Sequence, residues 1–210
     1  MLTSTKKLLE AAQKQSYAIG AFNLYNLEGV KAVVNAAEAD NSPAIIQILP
    51  NILEYGGVPL VKLFLEAADL AKVPMSVHLD HCDDPTIIKT ALEAGVQSVL
   101  ADGSKFSLQE NLAFTREMTL LAHAKGATAE AEIGRISGTE DGMTVAEKEA
   151  KMTDPYQATR FVAESGVDFL AVTIGNVHGQ YFSEPKLDFE RLTKIRQRLD
   201  IPLVLHGASG

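Results

Sequence analysis

Pro74-Met75-Ser76-Val77-His78-Leu79-Asp80-His81-Cys82 closes an apolar run with two histidines and an aspartate. Side chains alternate across a strand, so Ser76, His78 and Asp80 share one face while Val77 and Leu79 share the other. On this reading Asp80 points along the polar face, and His81 sits where the strand gives way to a loop. A buried, mutually satisfied His78 and Asp80 beside a loop histidine is the plainer account of the stretch taken alone. Two later strands end in the same way, however, at His178 in TIGNVHG (173–179) and at His206 in LVLHG (203–207).

The rest of the chain alternates between two periods. Strands are expected at 17–23, 43–49, 74–80, 96–102, 127–134, 168–174 and 201–206. Helices are expected at 27–40, 58–72, 84–95, 107–126, 154–166 and 188–200, and a further helix at 3–15, capped by Thr3 or Ser4, precedes every strand as a cap or lid. Asp84-Pro85 opens one helix and Gly95 closes it, which is the usual asymmetry of helix ends. Short connections between such units imply parallel βαβ pairing, in an open doubly wound sheet or a (β/α)8 barrel. Asn23, Asp80, His81, Asp102, Glu132, His178 and His206 fall at or just after the carboxyl ends of six strands. In a barrel every strand end meets at one mouth, so this distribution predicts a TIM (β/α)8 barrel with seven strands in the chain. FNLYNLEG follows the first strand where a dinucleotide site would carry GxGxxG.

With 210 residues, 46% of them hydrophobic, and a mean hydropathy of +0.03, one globular domain over 1–210 is expected. A net charge of −8 argues against nucleic acid or an anionic membrane as partner. Cys82 is the single cysteine, which rules out an internal disulfide and suits a reducing cytoplasm. The first residues, MLTSTKKLLEAAQKQ, lack an apolar core of the kind secretory signals have, and no apolar run reaches membrane-spanning length.

Three imidazoles at one mouth suit Zn2+, with a coordination position left for substrate. Histidines that merely hydrogen-bond around a polar mouth would look the same at this level. Glu130 and Glu132 share a strand face and are either solvated or close to such an ion.

AFNLYNLE, HLDHC, SVLADGS, AEAEIGRISGTED, GNVHG and PLVLHGASG together resemble the class II, metal-dependent fructose-bisphosphate and tagatose-bisphosphate aldolases from the first residue to the last. The resemblance implies that His81, His178 and His206 hold a catalytic Zn2+, with Asp102 and Glu132 flanking a second or displaced metal position. It implies that Asp80 gives and takes the proton at the aldehyde oxygen. Glu140, on a long loop, would move the proton of the enediolate carbon. Gly179, Gly207, Ala208 and Ser209 would meet the phosphate of the ketone half, near a monovalent cation, and Asn23 would contact substrate. The expected activity is reversible cleavage of fructose 1,6-bisphosphate or tagatose 1,6-bisphosphate to dihydroxyacetone phosphate and an aldehyde phosphate, in a cytoplasmic homodimer or homotetramer.

Elementary chemistry agrees with those roles. Cleaving a carbon–carbon bond beside a ketone needs an electron sink, either a lysine Schiff base or a Lewis-acid metal. No strand ends in lysine, and Lys105 is the nearest. Asp80, next to a metal ligand, can act as general acid and base, or it can simply orient His81. A metal-dependent barrel hydrolase would want His-x-His on the first strand, which AFNLYN lacks. A non-catalytic partner subunit would have shed metal ligands that this chain keeps. QILPN follows the second strand in place of the family's small or hydroxylated residues, which leaves the aldehyde-side phosphate contacts open. The family continues past HGASG into an eighth strand, so a longer polypeptide is expected to supply that strand, because an open barrel edge is costly. Residues 134–153 read as an active-site lid.

Overall fold

A computed structural model of the protein describes residues 1–135, 137–140, 143–145, 151–179, 184 and 186–207. In chain order the elements are α1 (Thr5–Gln15), β1 (Gly20–Asn23), α2 (Leu27–Ala39), β2 (Ala44–Ile48), α3 (Pro50–Leu70), β3 (Met75–Cys82), α4 (Pro85–Ala94), β4 (Ser98–Ala101), α5 (Leu108–Ala124) and β5 (Thr128–Ile133). There follow β6 (Ser137–Glu140), β7 (Met143–Val145), α6 (Pro155–Ser165), β8 (Phe169–Val172), β9 (Val177–His178), α7 (Phe189–Arg196) and β10 (Leu203–Val204). Seven strands form one sheet in the order β1-β2-β3-β4-β5-β8-β10. The pairs β1/β2, β2/β3, β3/β4 and β8/β10 are parallel. Each new strand is added on the same side, so the order never reverses as it does at the switch point of a doubly wound sheet. This is the winding of a (β/α)8 barrel, as expected, with seven of its strands among the described residues.

The chain divides into two compact units, Met1–Ala101 with Glu117–Glu130, and Asp102–Arg116 with Ala131–Gly210. In the first unit β2, β3 and β4 are buried along nearly their whole length, which is why their sequences carry Ile, Val and Leu in both alternating positions. Phe64 and Val61 of α3 and Ile88 of α4 are fully buried in this core. Asp84 caps α4 by accepting a hydrogen bond from Thr86 N at 2.7 Å, and Gly95 ends it in the left-handed region. Helix α3 begins eight residues earlier than its apolar period suggests, because Pro50 starts a first segment that breaks at Gly57 (φ 63°) before the longer run resumes.

Helix α1 packs on β3. Thr3 N donates to Met75 O at 2.8 Å, and the Thr5 hydroxyl contacts the Ser76 hydroxyl and lies 2.7 Å from Ser98 Oγ. All three partners are the first residues of β3 or β4, so α1 covers the strand ends opposite Asp80 and His81. Ser4 occupies its cap position without a side-chain hydrogen bond.

In the second unit α6 packs on α7. Asp154 caps α6 through Tyr156 N and Gln157 N at 2.9 and 2.8 Å. A three-stranded sheet, β7-β6-β9, joins the antiparallel pair β6/β7 to the two-residue strand that carries His178.

Candidate active site

Asp80 and His81 are neighbours on β3, and a regular strand would turn their side chains to opposite faces. The register, however, is not regular here. Leu79 pairs with Val99 and Cys82 with Ala101, so two residues of β3, Asp80 and His81, stand opposite Leu100 alone. This is a β-bulge, a device that re-aims side chains beside functional sites. His81 takes up the turn with φ 40°, left-handed backbone that non-glycine residues seldom adopt. The strand therefore runs through His81 to Cys82, where the alternation pattern suggested a loop.

The polar face of β3 is enclosed rather than open to water. Ser76, His78 and Asp80 are all within 3% of full burial, as is Glu130 on β5. His78 Nδ1 lies 2.7 Å from Ser98 Oγ, and its Nε2 faces Glu130 Oε2 at 3.6 Å and Asp80 Oδ1 at 3.8 Å. Glu132 is also buried, so the solvated alternative for the Glu130 and Glu132 pair is excluded. Asn23, half-buried at the end of β1, pairs with Gln47.

In the second unit the rings of His178 and His206 lie 6.3 Å apart, inclined at 47°. Asn176 sets that relation: its Oδ1 accepts Ile174 N at 2.8 Å, and its Nδ2 donates to His206 O at 2.9 Å. The turn between β8 and β9, the strand that carries His178, is thereby tied to the backbone of His206, two residues beyond β10. Gly207 finishes the fit with φ 76°, where a Cβ would collide with the Val177 carbonyl. Gly179 also has a positive φ, 77°. Asp102 accepts Ser104 N at 3.0 Å in a tight turn after β4. Asn111 of α5 holds the Glu132 carbonyl at 2.9 Å. Asn111 and Asn176 were not singled out by the sequence, where an Asn in a helix or in a Gly-Asn turn carries no signal of its own.

Arg135, Lys151 and Thr153, near the two ends of the 134–153 stretch, take part in a clamp. Arg135 and Lys151 form an antiparallel bridge. The Thr153 hydroxyl donates to Ile133 O at 2.5 Å and accepts Thr173 N at 2.7 Å, which links the ends of β5 and β8. Arg191 donates to Thr153 O at 2.8 Å and to Asp188 at 3.1 Å. Asp188 is held below the usual carboxylate range chiefly by the Arg191 backbone N–H, with the Arg191 side chain adding to the effect. Between these anchors β6 pairs with β9, setting Gly138 beside His178, and Glu140 pairs with Met143 of β7. Ala208 and Ser209 lie outside the described residues.

Among the described residues, two groups could hold a metal ion: His81, His178 and His206, and His81, Asp102 and Glu132. Neutral imidazoles with adjacent carboxylates form a donor set that fits Zn2+. No described helix is long and apolar enough to cross a membrane.

The D-tagatose-1,6-bisphosphate aldolase subunit GatY of Klebsiella oxytoca is 44% identical across 99% of this chain and 74% of its own length. A Coccidioides immitis protein assigned as a fructose-1,6-bisphosphate aldolase superposes with a TM-score of 0.92 at 42% identity, covering 97% of this chain and 73% of that one. The YdjI aldolase of Escherichia coli K12 gives 0.88 at 36% identity, over 100% of this chain and 74% of its own. The sequence profile of the family described as fructose-bisphosphate aldolase class-II matches residues 3–210, and the chain belongs to that family.

Proposed function

We propose that the protein catalyses reversible aldol cleavage of a phosphorylated ketose, fructose 1,6-bisphosphate or tagatose 1,6-bisphosphate, to dihydroxyacetone phosphate and an aldehyde phosphate, with zinc as cofactor. The observation that carries this reading is a three-histidine group, His81, His178 and His206, in a chain of an aldolase family, with Asp80 immediately before the first histidine. Zn2+ held by those three imidazoles would supply the Lewis acid that the cleavage needs. Asp102 and Glu132 offer a second or displaced position. Asp80 takes the proton from the C4 hydroxyl oxygen in cleavage and returns it in condensation, and its enclosure from water supports that general acid–base role. Glu140 serves the proton on the carbon next to the ketone. Asn23 orients the substrate. Gly179 and Gly207, with positive φ, serve the ketone-side phosphate through their backbone N–H groups, and their carbonyls suit a monovalent cation; Ala208 and Ser209 are assigned to the same phosphate from the family resemblance. Family membership also supports a cytoplasmic homodimer or homotetramer.

The test is cleavage of both bisphosphates before and after chelation. Activity should vanish with excess EDTA and return with Zn2+ or Co2+. Survival of cleavage in EDTA, or a substrate adduct trapped by borohydride, would point to a lysine Schiff base and sink the metal reading.

A further inference from the structure

The first unit contains a buried line of polar side chains that the reaction as described does not use. It starts at α1, at the end of the strands opposite the proposed chemistry, and runs toward Asp80. The Thr5 hydroxyl contacts the Ser76 hydroxyl and sits 2.7 Å from Ser98 Oγ, which in turn sits 2.7 Å from His78 Nδ1. Thr5, Ser76, Ser98 and His78 are each at least 98% buried. From Ser76 to Asp80 the strand covers about 13 Å at its usual rise.

Hydrogen-bond direction along this line is constrained. The far ring nitrogen, Nε2, faces two carboxylate oxygens, of Glu130 and Asp80, at 3.6 and 3.8 Å. With the Ser98 hydroxyl donating to Nδ1, the neutral ring carries its hydrogen on Nε2, turned toward the oxygens of Glu130 and Asp80. Nδ1 can then accept from Ser98, Ser98 from Thr5, and Thr5 from Ser76, so that every hydroxyl donates once in the same sense. At these separations the ring does not hydrogen-bond the carboxylates directly, but in a buried setting its N–H dipole still attracts them and separates two like charges.

We propose that His78 is a positioning residue for Asp80, held in its Nε2–H form by the Thr5–Ser98 hydroxyl relay from α1. This rests on the reading of Asp80 as the proton-transfer group. His78 itself touches no reacting atom. Its role is to fix the direction of the Asp80 carboxylate, so that losing it misplaces the proton acceptor without emptying the metal site.

Four variants of the zinc-loaded protein test this, with fructose and tagatose bisphosphates as substrates and bound zinc measured in parallel. His78→Phe keeps the ring's volume and removes the N–H, and kcat should fall about 100-fold, the scale of an ångström-sized misplacement. KM should stay within about twofold, since binding groups are untouched. His78→Gln places an amide N–H near the former Nε2 and should recover most of the loss. Thr5→Val, remote from the site, should lower kcat about fivefold, as expected for one hydrogen bond of about 1 kcal/mol. Asp80→Ala separates the two readings: if it retains the parental rate, the role of Asp80 fails and the proposal goes with it. If Asp80→Ala is inactive while His78→Phe keeps kcat within twofold, or loses zinc along with activity, the positioning role alone is overturned. Ring 15N shifts of His78 give a readout independent of turnover, expected to show protonated Nε2 and bare Nδ1. The reverse pattern, or protons on both nitrogens, would overturn the relay.

Discussion

His81 has to satisfy two demands that conflict in a regular strand, to follow Asp80 directly and yet to present its ring together with it. The bulge resolves the conflict at a conformational cost, since left-handed backbone at a non-glycine residue costs about 1–2 kcal/mol. The cost can be measured by comparing two truncations. Alanine normally outranks glycine within a strand, but at φ 40° the order should invert. His81→Gly is expected to be more stable to urea than His81→Ala by about 1 kcal/mol, with both lacking the catalytic metal. Equal stabilities, or alanine the more stable, would mean that the backbone at this position is relaxed. The type and order of residues in HLDH single out Asp80 and His81 as candidates. The bulge was not legible, because it is defined by the partner strand's register and nothing in the nine residues reveals how β4 pairs with them.

At the scale of elements, legibility followed the strength of local signals. Helices α4 and α6 carry Asp-Pro at one end and glycine at the other, and both begin and end within a residue of where those signals put them. The first segment of α3 was missed because the paired glycines Gly56-Gly57 interrupt the helical pattern just before the expected start at 58, and one helix only appears continuous across the Gly57 break. Strands β6, β7 and β9 were missed because their sequences are short, polar or rich in glycine. Their pairing comes from context, β6 lying between its hairpin partner and the strand of His178. The long connection reads as a lid from its length alone, whereas the anchoring at its end by Thr153 depends on tertiary contacts. That clamp predicts a specific weakness. Thr153→Val keeps the side-chain volume but leaves the Thr173 N–H without its hydroxyl partner in a buried position. A buried donor left unmade costs about 1–3 kcal/mol, so the unfolding free energy measured in urea should fall by that amount, while Thr153→Ser should stay near the parent. If valine matched serine, the clamp would carry no stability.

For the molecule as a whole, the candidate metal ligands come from segments far apart in sequence, so an ion that binds them only in the folded chain should stabilise all of it. A ligand present at 100 times its dissociation constant adds about 2.7 kcal/mol. For a chain of this size each kcal/mol moves Tm by about 2–4 °C. Zinc added to chelator-stripped protein should therefore raise Tm by about 5–10 °C under those conditions. A net charge of −8 complicates the experiment, because scattered carboxylates attract any divalent cation weakly. Two comparisons separate the specific effect from that background. Magnesium, which prefers oxygen ligands and keeps its waters, should give a much smaller shift at the same concentration. His123, exposed on α5 and outside both candidate groups, supplies the second control. His123→Ala should keep the full zinc shift, and His81→Ala, which removes the ligand common to both groups, should abolish it. A His81→Ala protein that still gained the full shift would show that zinc stabilises the fold from somewhere else, and the three-histidine site would have to be abandoned.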